Sequence, residues 1–258
     1  MRSFEFSLPN GRRISMTAPE HLLIPKHLEG QGIVNYEPDT MACAAAICGL
    51  APSGAFYDIG ANVGVFSIFI AGIGRETIAF EPTPEIAAVL QTAAVENALP
   101  ITVMEMALSN TVGKTTFHLS PKSDMSNSLN QAFRRSTRGI EVDVATFDGI
   151  ASTRPALLKI DTESTEPDVL DGAKETIARH RPPMIIEVLY GRTEDRLNAF
   201  FATRGYHAYH ITPKARWERH EAVSGDPTHV NNNWLLSPEP LGDDFWLHLD
   251  AWRWRLNR

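Results

Sequence analysis

The sequence GAFYDIGANVGVFSIFIA, residues 54–71, contains two apolar runs separated by a short turn with an acid and two glycines. The first run ends on Asp58 and has the length of a buried strand, whereas the second continues to Ala71 and is long enough for a helix. Gly60 allows the backbone to turn sharply, and Gly64 lets the following helix approach the strand closely. The pattern predicts a strand–turn–helix unit with a carboxylate at the end of the strand.

Short apolar runs alternate with amphipathic segments along most of the remaining chain. This alternation predicts an α/β fold with a doubly wound, mostly parallel sheet and helices on both faces. The predicted strands are 55–59, 77–81, 101–106, 156–160 and 184–188, and the predicted helices are 62–73, 84–97, 166–179 and 193–203. Two further strands, 114–119 and 140–146, flank a polar loop whose length is typical of functional or mobile segments.

Both ends of the chain carry additions to this unit. Apolar residues alternate around Pro9-Asn10-Gly11, which predicts a β-hairpin, and residues 39–49 have the pattern of a helix. The last stretch, DDFWLHLDAWRWRLNR, has one apolar helical stripe, which favours a docked helix over the alternative, a homodimer contact. The stripe consists of Phe245, Leu249, Trp252 and Leu256. We divide the chain into an N-terminal hairpin and helix (1–50), a main domain (51–240) and a C-terminal helix (241–258).

Composition and charge exclude several kinds of partner. The net charge is −7 and no Lys/Arg cluster of the kind that tracks a phosphate backbone occurs, which argues against nucleic acid. No apolar run approaches the roughly 18 residues of a membrane span, and the first residues lack the apolar core of a signal peptide. We therefore predict a soluble, cytoplasmic protein without a membrane span. Cys43 and Cys48 lie in an Ala-rich helical stretch, where core packing is favoured over a disulfide or a metal site.

Two acids at predicted strand ends indicate which nucleotide the turn binds. Ligands of doubly wound sheets bind beyond the carboxyl ends of the strands. Asp58 would repel the pyrophosphate of a dinucleotide but would attract the ammonium and sulfonium of S-adenosylmethionine (SAM). Glu81, about twenty residues past the glycines, suits hydrogen bonds to ribose hydroxyls, which NAD and SAM share. The two acids together favour SAM as the cofactor.

Three later acids are candidates for catalysis. Asp161 and Glu163 close the strand in LLKIDTESTEPDVL, where neighbouring carboxylates repel each other unless a cation or a reaction uses them. Methyl transfer to a hydroxyl needs alignment and a base for the hydroxyl proton. We favour this base over the alternative, a divalent metal held by the two carboxylates. Glu187, at the end of PPMIIEVL, either faces the acceptor pocket or pairs with Arg192.

Other polar residues have simpler interpretations. Glu166 and Asp168 suit the start of a helix, where acids complement the helix dipole. His207 and His210 alternate in GYHAYHI, as expected of a surface strand. Residues 231–233, in NNNWLL, enter a further strand from a polar turn and are secondary candidates for the pocket.

These segments resemble, in their order, the FkbM-type methyltransferases. The resemblance covers residues 36–190 and rests on FYDIGANVGVFSIFIA, FEPTPEIAAVLQTAAVENAL, MEMALSNTVGKTTFHL, VDVATFDGI, LLKIDTESTEPDVLDGAKETI and PPMIIEVL. It implies a Rossmann-like, SAM-dependent methyltransferase fold and, commonly, O-methylation of a hydroxyl on a sugar, lipid or polyketide-like product. The family usually has glycine after the second acid, whereas this chain has Ser164, whose β-carbon restricts the turn.

The resemblance also implies roles for individual residues by position. The implied methionine-side loop consists of Asp58, Gly60, Asn62 and Gly64. Glu81 is the implied ribose ligand, and Met106 and Ala107 are the implied neighbours of the adenine. Asp161 and Glu163 correspond to the family's paired acids.

The leading hypothesis is a SAM-dependent O-methyltransferase that acts on a small-molecule, sugar or polyketide-like acceptor. A nicotinamide-dependent oxidoreductase is the alternative enzyme, and Asp58 and the absence of G-x-G-x-x-G argue against it. A non-catalytic SAM-binding protein is the alternative from another class. The sequence leaves open which acceptor is used, whether a metal assists and which carboxylate or histidine is the base.

Overall fold

The computed structural model describes residues 1–120, 127–130 and 138–257. Its N-terminal part contains the predicted hairpin, formed by β1 (Arg2–Ser7) and β2 (Arg13–Ala18), and the predicted helix, here α2 (Pro38–Leu50). Between them lie α1 (Leu23–Gln31) and a short 3-10 helix (Ile33–Asn35). The pattern did not predict α1, because its proline and glycine weaken the helical signal.

The predicted alternation of strands and helices is present in the rest of the chain. The elements are β3 (Ala55–Ile59), α3 (Val65–Gly72), β4 (Thr77–Phe80), α4 (Pro84–Glu96), β5 (Ile101–Met104), β6 (Ala107–Leu108), β7 (Gly113–Leu119), β8 (Arg138–Ala145), α5 (Phe147–Ile150), β9 (Pro155–Ile160), α6 (Glu166–Asp171), α7 (Lys174–His180), β10 (Met184–Glu187), α8 (Glu194–Phe201), β11 (His207–His210), β12 (Arg219–His220), β13 (Asn233–Ser237) and α9 (Asp243–Leu256). The predicted helix 166–179 is two helices separated at Gly172 and Ala173, and a β-carbon on Gly172 would overlap the backbone carbonyl of Ser109.

The central sheet has eight strands in the order β12-β11-β13-β10-β9-β3-β4-β5. The strands from β10 to β5 pair in parallel, and β13, β11 and β12 extend the sheet in antiparallel fashion. The predicted strand around His207 is present, but it lies between two other strands rather than at the surface. The predicted strands 114–119 and 140–146 belong to a separate three-stranded sheet, β6-β8-β7. Most of the predicted functional loop between them lies outside the described residues.

Helices cover both faces of the central sheet, as a doubly wound fold requires. Side chains of one face pack with α1 to α4, α9 and the hairpin, and those of the other face pack with α5 to α8. Alternate residues of the parallel strands enter the two layers, since Phe56 and Leu157 lie in the first and Tyr57 and Leu158 in the second. The α/β fold class predicted from the sequence is therefore confirmed.

The C-terminal helix is docked on the body of the protein. Phe245, Leu249 and Leu256 are buried, and Trp252 packs edge-on against Phe69 with ring centroids 5.6 Å apart. Cys43 and Cys48 are free and buried in α2, as the core-packing interpretation predicted. None of the helices among the described residues is long and apolar enough to cross a membrane. The division of the chain at residues 50 and 240 stays a prediction.

Candidate active site

One cleft lies at the carboxyl ends of the parallel strands β3, β4, β9 and β10. Because these strands run in the same direction, the residues that follow them meet at one edge of the sheet. All the predicted site residues except Gly64 line this cleft: Asp58, Gly60, Asn62, Glu81, Met106, Ala107, Asp161, Glu163 and Glu187. The tertiary structure therefore brings together the residues predicted for the cofactor and for catalysis.

The two glycines after β3 have left-handed backbone conformations, and each has a close neighbour. Gly60 has φ +85°, and a β-carbon there would overlap the backbone carbonyl of Asp161. Gly64 has φ +81° and precedes α3, which is why the helix begins later than the sequence pattern suggested. A β-carbon on Gly64 would overlap the side chain of Leu90, so its close approach is to α4 rather than to the strand. Gly64 thus shapes the turn from behind the cleft wall.

Asp58 is a buried carboxylate with one oxygen available for a ligand. Its side chain is 1% exposed, and its Oδ2 accepts a hydrogen bond of 2.6 Å from the Ser67 hydroxyl. Its Oδ1 has no hydrogen-bond partner among the described residues. Burial raises the pKa of Asp58, while the neighbouring Lys159 ammonium and Ser67 oppose that rise. A cationic donor at Oδ1 would satisfy an otherwise unpaired buried acceptor.

Glu81 holds the loop after β3 and still has room for a ligand. Its Oε2 accepts the backbone N–H of Asn62 at 3.0 Å, and its Oε1 accepts that of Thr83 at 2.8 Å. Burial raises the pKa of Glu81 to about 6, although these backbone donors lower it. Each carboxylate oxygen can accept more than one hydrogen bond, so the predicted contacts to ribose hydroxyls are compatible with this arrangement.

Lys159 is a site residue that the sequence analysis did not single out. Its side chain is almost completely buried, and its ammonium lies 2.8 Å from Oδ2 of Asp161 and 4.6 Å from the centroid of the Phe66 ring. Burial alone would lower the pKa of Lys159, but the carboxylates of Asp161, Asp58 and Glu37 raise it overall. Lys159 and Asp161 are two residues apart, a spacing that places both on one face of a strand. This spacing is the sequence signal that could have indicated Lys159. Asp161 is therefore already paired with a cation of the protein itself.

The turn after β9 carries Glu163 in a strained conformation. Glu163 has φ +57° and Ser164 has φ +80°, a region that residues with a β-carbon adopt at a cost. The buried Glu166 stabilises the turn, because its Oε1 accepts the backbone N–H groups of Thr162 at 3.0 Å and of Ser164 at 3.1 Å. Glu166 begins α6, as predicted, but its side chain serves the turn. Burial raises its pKa to about 7.

Glu187 lines the cleft beside the two acids of β9. Its Oε1 accepts the side-chain amide of Asn232 at 3.3 Å, and its Oε2 has no hydrogen-bond partner in the described parts of the chain. Burial raises the pKa of Glu187 well above its usual range, and Asp161 and Glu163 raise it further. Carboxylate oxygens of Asp161, Glu163 and Glu187 lie within 4.8 Å of one another. That spacing also suits a divalent metal, the alternative that the sequence left open.

Two residues from the N-terminal part complete the cleft, and the sequence analysis missed both. Tyr36 and Glu37 precede α2 and line the cleft together with residues that follow β9 and β10. The Glu37 carboxylate accepts a 2.9 Å hydrogen bond from the side-chain amide of Asn233. Asn232 and Asn233 therefore lie behind the wall of the cleft and hold two of its acids. Neither spacing nor periodicity indicated Glu37, because its partner is distant in the sequence.

Comparison with protein families assigns the domain. The family model described as "Methyltransferase FkbM domain" matches residues 58–208, which is more than half of the chain. The chain belongs to the FkbM methyltransferase family. This result confirms the resemblance inferred from the sequence, and with it the predicted methyltransferase domain. No curated protein matches this FkbM family member with significant similarity.

Solved structures similar to this FkbM domain include methyltransferases of low sequence identity. Methyltransferase FkbM from Methylobacillus flagellatus KT is 22% identical, with a TM-score of 0.48 over 71% of this chain and 43% of that chain. Magnesium protoporphyrin IX methyltransferase from Synechocystis PCC 6803, solved with bound SAM, is 12% identical, with a TM-score of 0.44 over 86% of each chain. The chain therefore spans less than half of the first of these proteins.

Proposed function

We propose that this FkbM family member is a SAM-dependent O-methyltransferase that acts on a hydroxyl of a small-molecule, sugar or polyketide-like acceptor. The observation that carries the proposal is Asp58, a buried carboxylate at the end of β3 with one oxygen that lacks a partner among the described residues. A phosphate-bearing dinucleotide would be repelled at this position, so the nicotinamide-dependent alternative is disfavoured.

The residues of the cleft have the donors and acceptors that SAM requires. In this proposal Asp58 holds the methionine ammonium, Glu81 accepts the ribose hydroxyls, and Met106 and Ala107 contact the adenine. The left-handed turn at Gly60 and Asn62 shapes the loop between these contacts, and Gly64 allows its close packing. Bound SAM supplies an electrophilic methyl group on a sulfonium, which makes a cluster of carboxylates electrostatically complementary.

Asp161, Glu163 and Glu187 are the catalytic groups in this proposal. As the acceptor oxygen forms its bond to the methyl carbon, its proton must pass to a base. Asp161 is paired with Lys159, so it would have to give up an ion pair to accept the proton. Glu187 has an oxygen without a hydrogen-bond partner in the described region. We therefore assign Glu187 as the base and Asp161 and Glu163 as groups that orient the acceptor hydroxyl.

The Asp58→Ala variant tests the cofactor part of the proposal. Loss of a charge-assisted hydrogen bond should weaken SAM binding by about 1–3 kcal/mol, as measured by calorimetry. Glu76→Gln, which removes an exposed acid, is the control and should bind SAM normally. Equal affinity in Asp58→Ala and the parent protein would contradict the assigned role of Asp58.

The Glu163→Gln and Asp161→Asn variants separate an enzyme from a non-catalytic SAM-binding protein. Both should slow transfer of a labelled methyl group to a panel of sugars and small alcohols more than they weaken SAM binding. If the parent protein binds SAM but methylates no acceptor, the non-catalytic alternative is favoured. If the variants lose binding and turnover equally, the two acids have no specific role in the reaction.

A further inference from the structure

The cleft is strongly acidic in the part of the chain that the structure describes. Its wall contains the carboxylates of Glu37, Asp58, Glu81, Asp161, Glu163 and Glu187, and its described lining includes a single cation, Lys159. The proposed cofactor adds an ammonium, a sulfonium and a carboxylate, hence only one net positive charge. A cavity whose wall has one sign of charge attracts ligands of the opposite sign. The negative charge of the wall that the cofactor does not neutralise should therefore influence which acceptor binds.

Glu37 and Glu187 are the two acids of the wall that accept hydrogen bonds from side-chain amides of described residues. The Asn233 amide donates to Glu37 at 2.9 Å, and the Asn232 amide donates to Glu187 at 3.3 Å. Asn233 is also the register partner of Glu187 across β10 and β13. Two consecutive asparagines thus donate hydrogen bonds to two carboxylates of the wall. Amide donors orient a carboxylate without neutralising it, so both acids keep their capacity to bind a cation.

Glu37 and its amide partner lie outside the part of the chain that carries the proposed cofactor contacts. The family match covers residues 58–208, which include the cofactor loop and the strand ends. The proposed cofactor contacts, from Asp58 to Ala107, lie inside that stretch, whereas Glu37, Asn232 and Asn233 lie outside it. Glu37 lines the same cleft and has no role in the proposed cofactor contacts. It is therefore available for the acceptor.

The buried environment of Glu37 and Glu187 disfavours their ionised forms unless a positive charge lies nearby. Burial raises the pKa of Glu37, which Lys159 and the Asn233 amide only partly oppose. Burial likewise raises the pKa of Glu187, together with the nearby Asp161 and Glu163. An ammonium group beside Glu37 would favour its ionised form and would be bound through charge-assisted hydrogen bonds. A neutral acceptor would lack this interaction.

We infer that Glu37 binds an ammonium group of the acceptor, while Glu187 keeps its role as the base, and that the acceptor is an amino alcohol of the amino-sugar class. This inference rests on the proposed O-methyltransferase function and narrows its substrate class. Glu37 contacts the acceptor directly, whereas Asn232 and Asn233 are positioning residues. A divalent cation bound by Asp161, Glu163 and Glu187 is the competing explanation of the acidic wall, and the experiment below separates the two.

The test compares amines with their N-acetyl forms, because acetylation removes the charge but keeps the hydroxyls. Glucosamine and kanamycin are assayed beside N-acetylglucosamine and N-acetylated kanamycin, with methyl-labelled SAM and with EDTA or Mg²⁺. We expect kcat/KM for an amine to exceed that for its N-acetyl form by about tenfold or more, the value of one charge-assisted hydrogen bond. In Glu37→Gln this preference should disappear, with the SAM affinity unchanged.

Control variants and a binding measurement make each outcome decisive. Glu221→Gln removes an exposed acid that is distant in the sequence from Glu37, and this variant should keep the preference for the amine over its N-acetyl form. Asn233→Ala should raise KM for the amine more than it lowers kcat, and melting temperatures show which variants fold. Three results would overturn the inference. The first is equal use of the amine and its N-acetyl form, and the second is an absolute need for Mg²⁺. The third is a protein that binds SAM but neither methylates nor binds any amine. Failure to bind SAM at all would instead overturn the proposed function.

Discussion

At the scale of single residues, the partners of each carboxylate distinguish chemically similar groups. Asp161 is paired with the Lys159 ammonium, and Glu81 accepts two backbone N–H groups. Glu187 accepts one amide and has an oxygen without a partner among the described atoms. Since environment sets both the charge and the availability of a carboxylate, these acids have different tasks in one cleft. The base assignment to Glu187 follows from this difference.

Glu187 should impose a pH dependence on turnover. A base must be ionised to act, and burial with neighbouring acids raises the pKa of Glu187. The value of kcat/KM should therefore rise with pH through a midpoint above about 4.3, the usual value for glutamate. Glu187→Gln should lower kcat by about 10²–10⁴-fold and remove this rise. The measurement is a pH profile of parent and variant; an unchanged rise in the variant would assign the base elsewhere.

At the scale of elements, the turn between β9 and α6 positions Glu163 but stores strain. Ser164 has φ +80°, and its buried hydroxyl has no hydrogen-bond partner among the described residues. Ser164→Gly should raise the free energy of unfolding by about 1 kcal/mol, because the left-handed conformation costs a residue with a β-carbon about 1–2 kcal/mol. Urea denaturation measures this change. Ser164→Ala keeps the β-carbon, so an equal gain in that variant would show that strain is not the cause.

The same turn should make stability depend on pH through Glu166. The pKa of Glu166 is about 7 in the folded protein, above the value of about 4.3 in an unfolded chain, so the folded state binds the extra proton between them. Stability should therefore fall as pH rises from about 4.3 to 7, by on the order of 3 kcal/mol, and stay level above. Glu81, with a pKa of about 6, adds to the same slope.

Glu166→Gln tests this contribution without removing the turn's hydrogen bonds. The amide oxygen of glutamine can still accept the N–H groups of Thr162 and Ser164. Unfolding free energies at several pH values should show a shallower slope in the variant, with the Glu81 part remaining. Glu76→Gln should leave the slope unchanged. A slope in Glu166→Gln equal to that of the parent protein would show that Glu166 does not titrate in this range.

At the scale of the whole molecule, segments that are distant in the sequence hold the wall of the cleft in place. The Nε of Arg253, in α9, donates to Asp39 at 2.7 Å, and its terminal nitrogen donates to the carbonyl of Thr212 at 2.9 Å. Asp39 lies in the first turn of α2, directly after Glu37 and Pro38. The C-terminal helix therefore fixes the start of the helix that presents Glu37 to the cleft.

Arg253→Leu should affect both stability and acceptor binding. Loss of hydrogen bonds to a partly buried carboxylate should lower the free energy of unfolding by about 1.5–3 kcal/mol. Because α2 loses an anchor beside Glu37, KM for the acceptor should rise more than the Kd for SAM. Arg255→Leu is the control, since Arg255 is exposed and pairs with no described carboxylate. Equal losses in both variants would mean that α9 stabilises the protein without positioning Glu37.

The sequence by itself determined the fold class and most of the cleft. The periods of apolar residues identify strands and helices. Because parallel strands place their carboxyl ends at one edge of the sheet, the acids at those ends are expected to lie together. These acids are Asp58, Glu81, Asp161 and Glu187. Glycine spacing likewise identified the turn after β3. These features are local, because each depends on residues close together along the chain.

The tertiary structure alone decided which partners those acids have. Glu37 and Asn233 are 196 positions apart, and Gly172 packs closely against the backbone of Ser109. Ser164 was recognised as a departure from the family, but only the folded turn shows its left-handed backbone. Periodicity records which face of an element is buried, not what lies against it. The contacts that tune the acids and close the cleft form only when distant segments pack together.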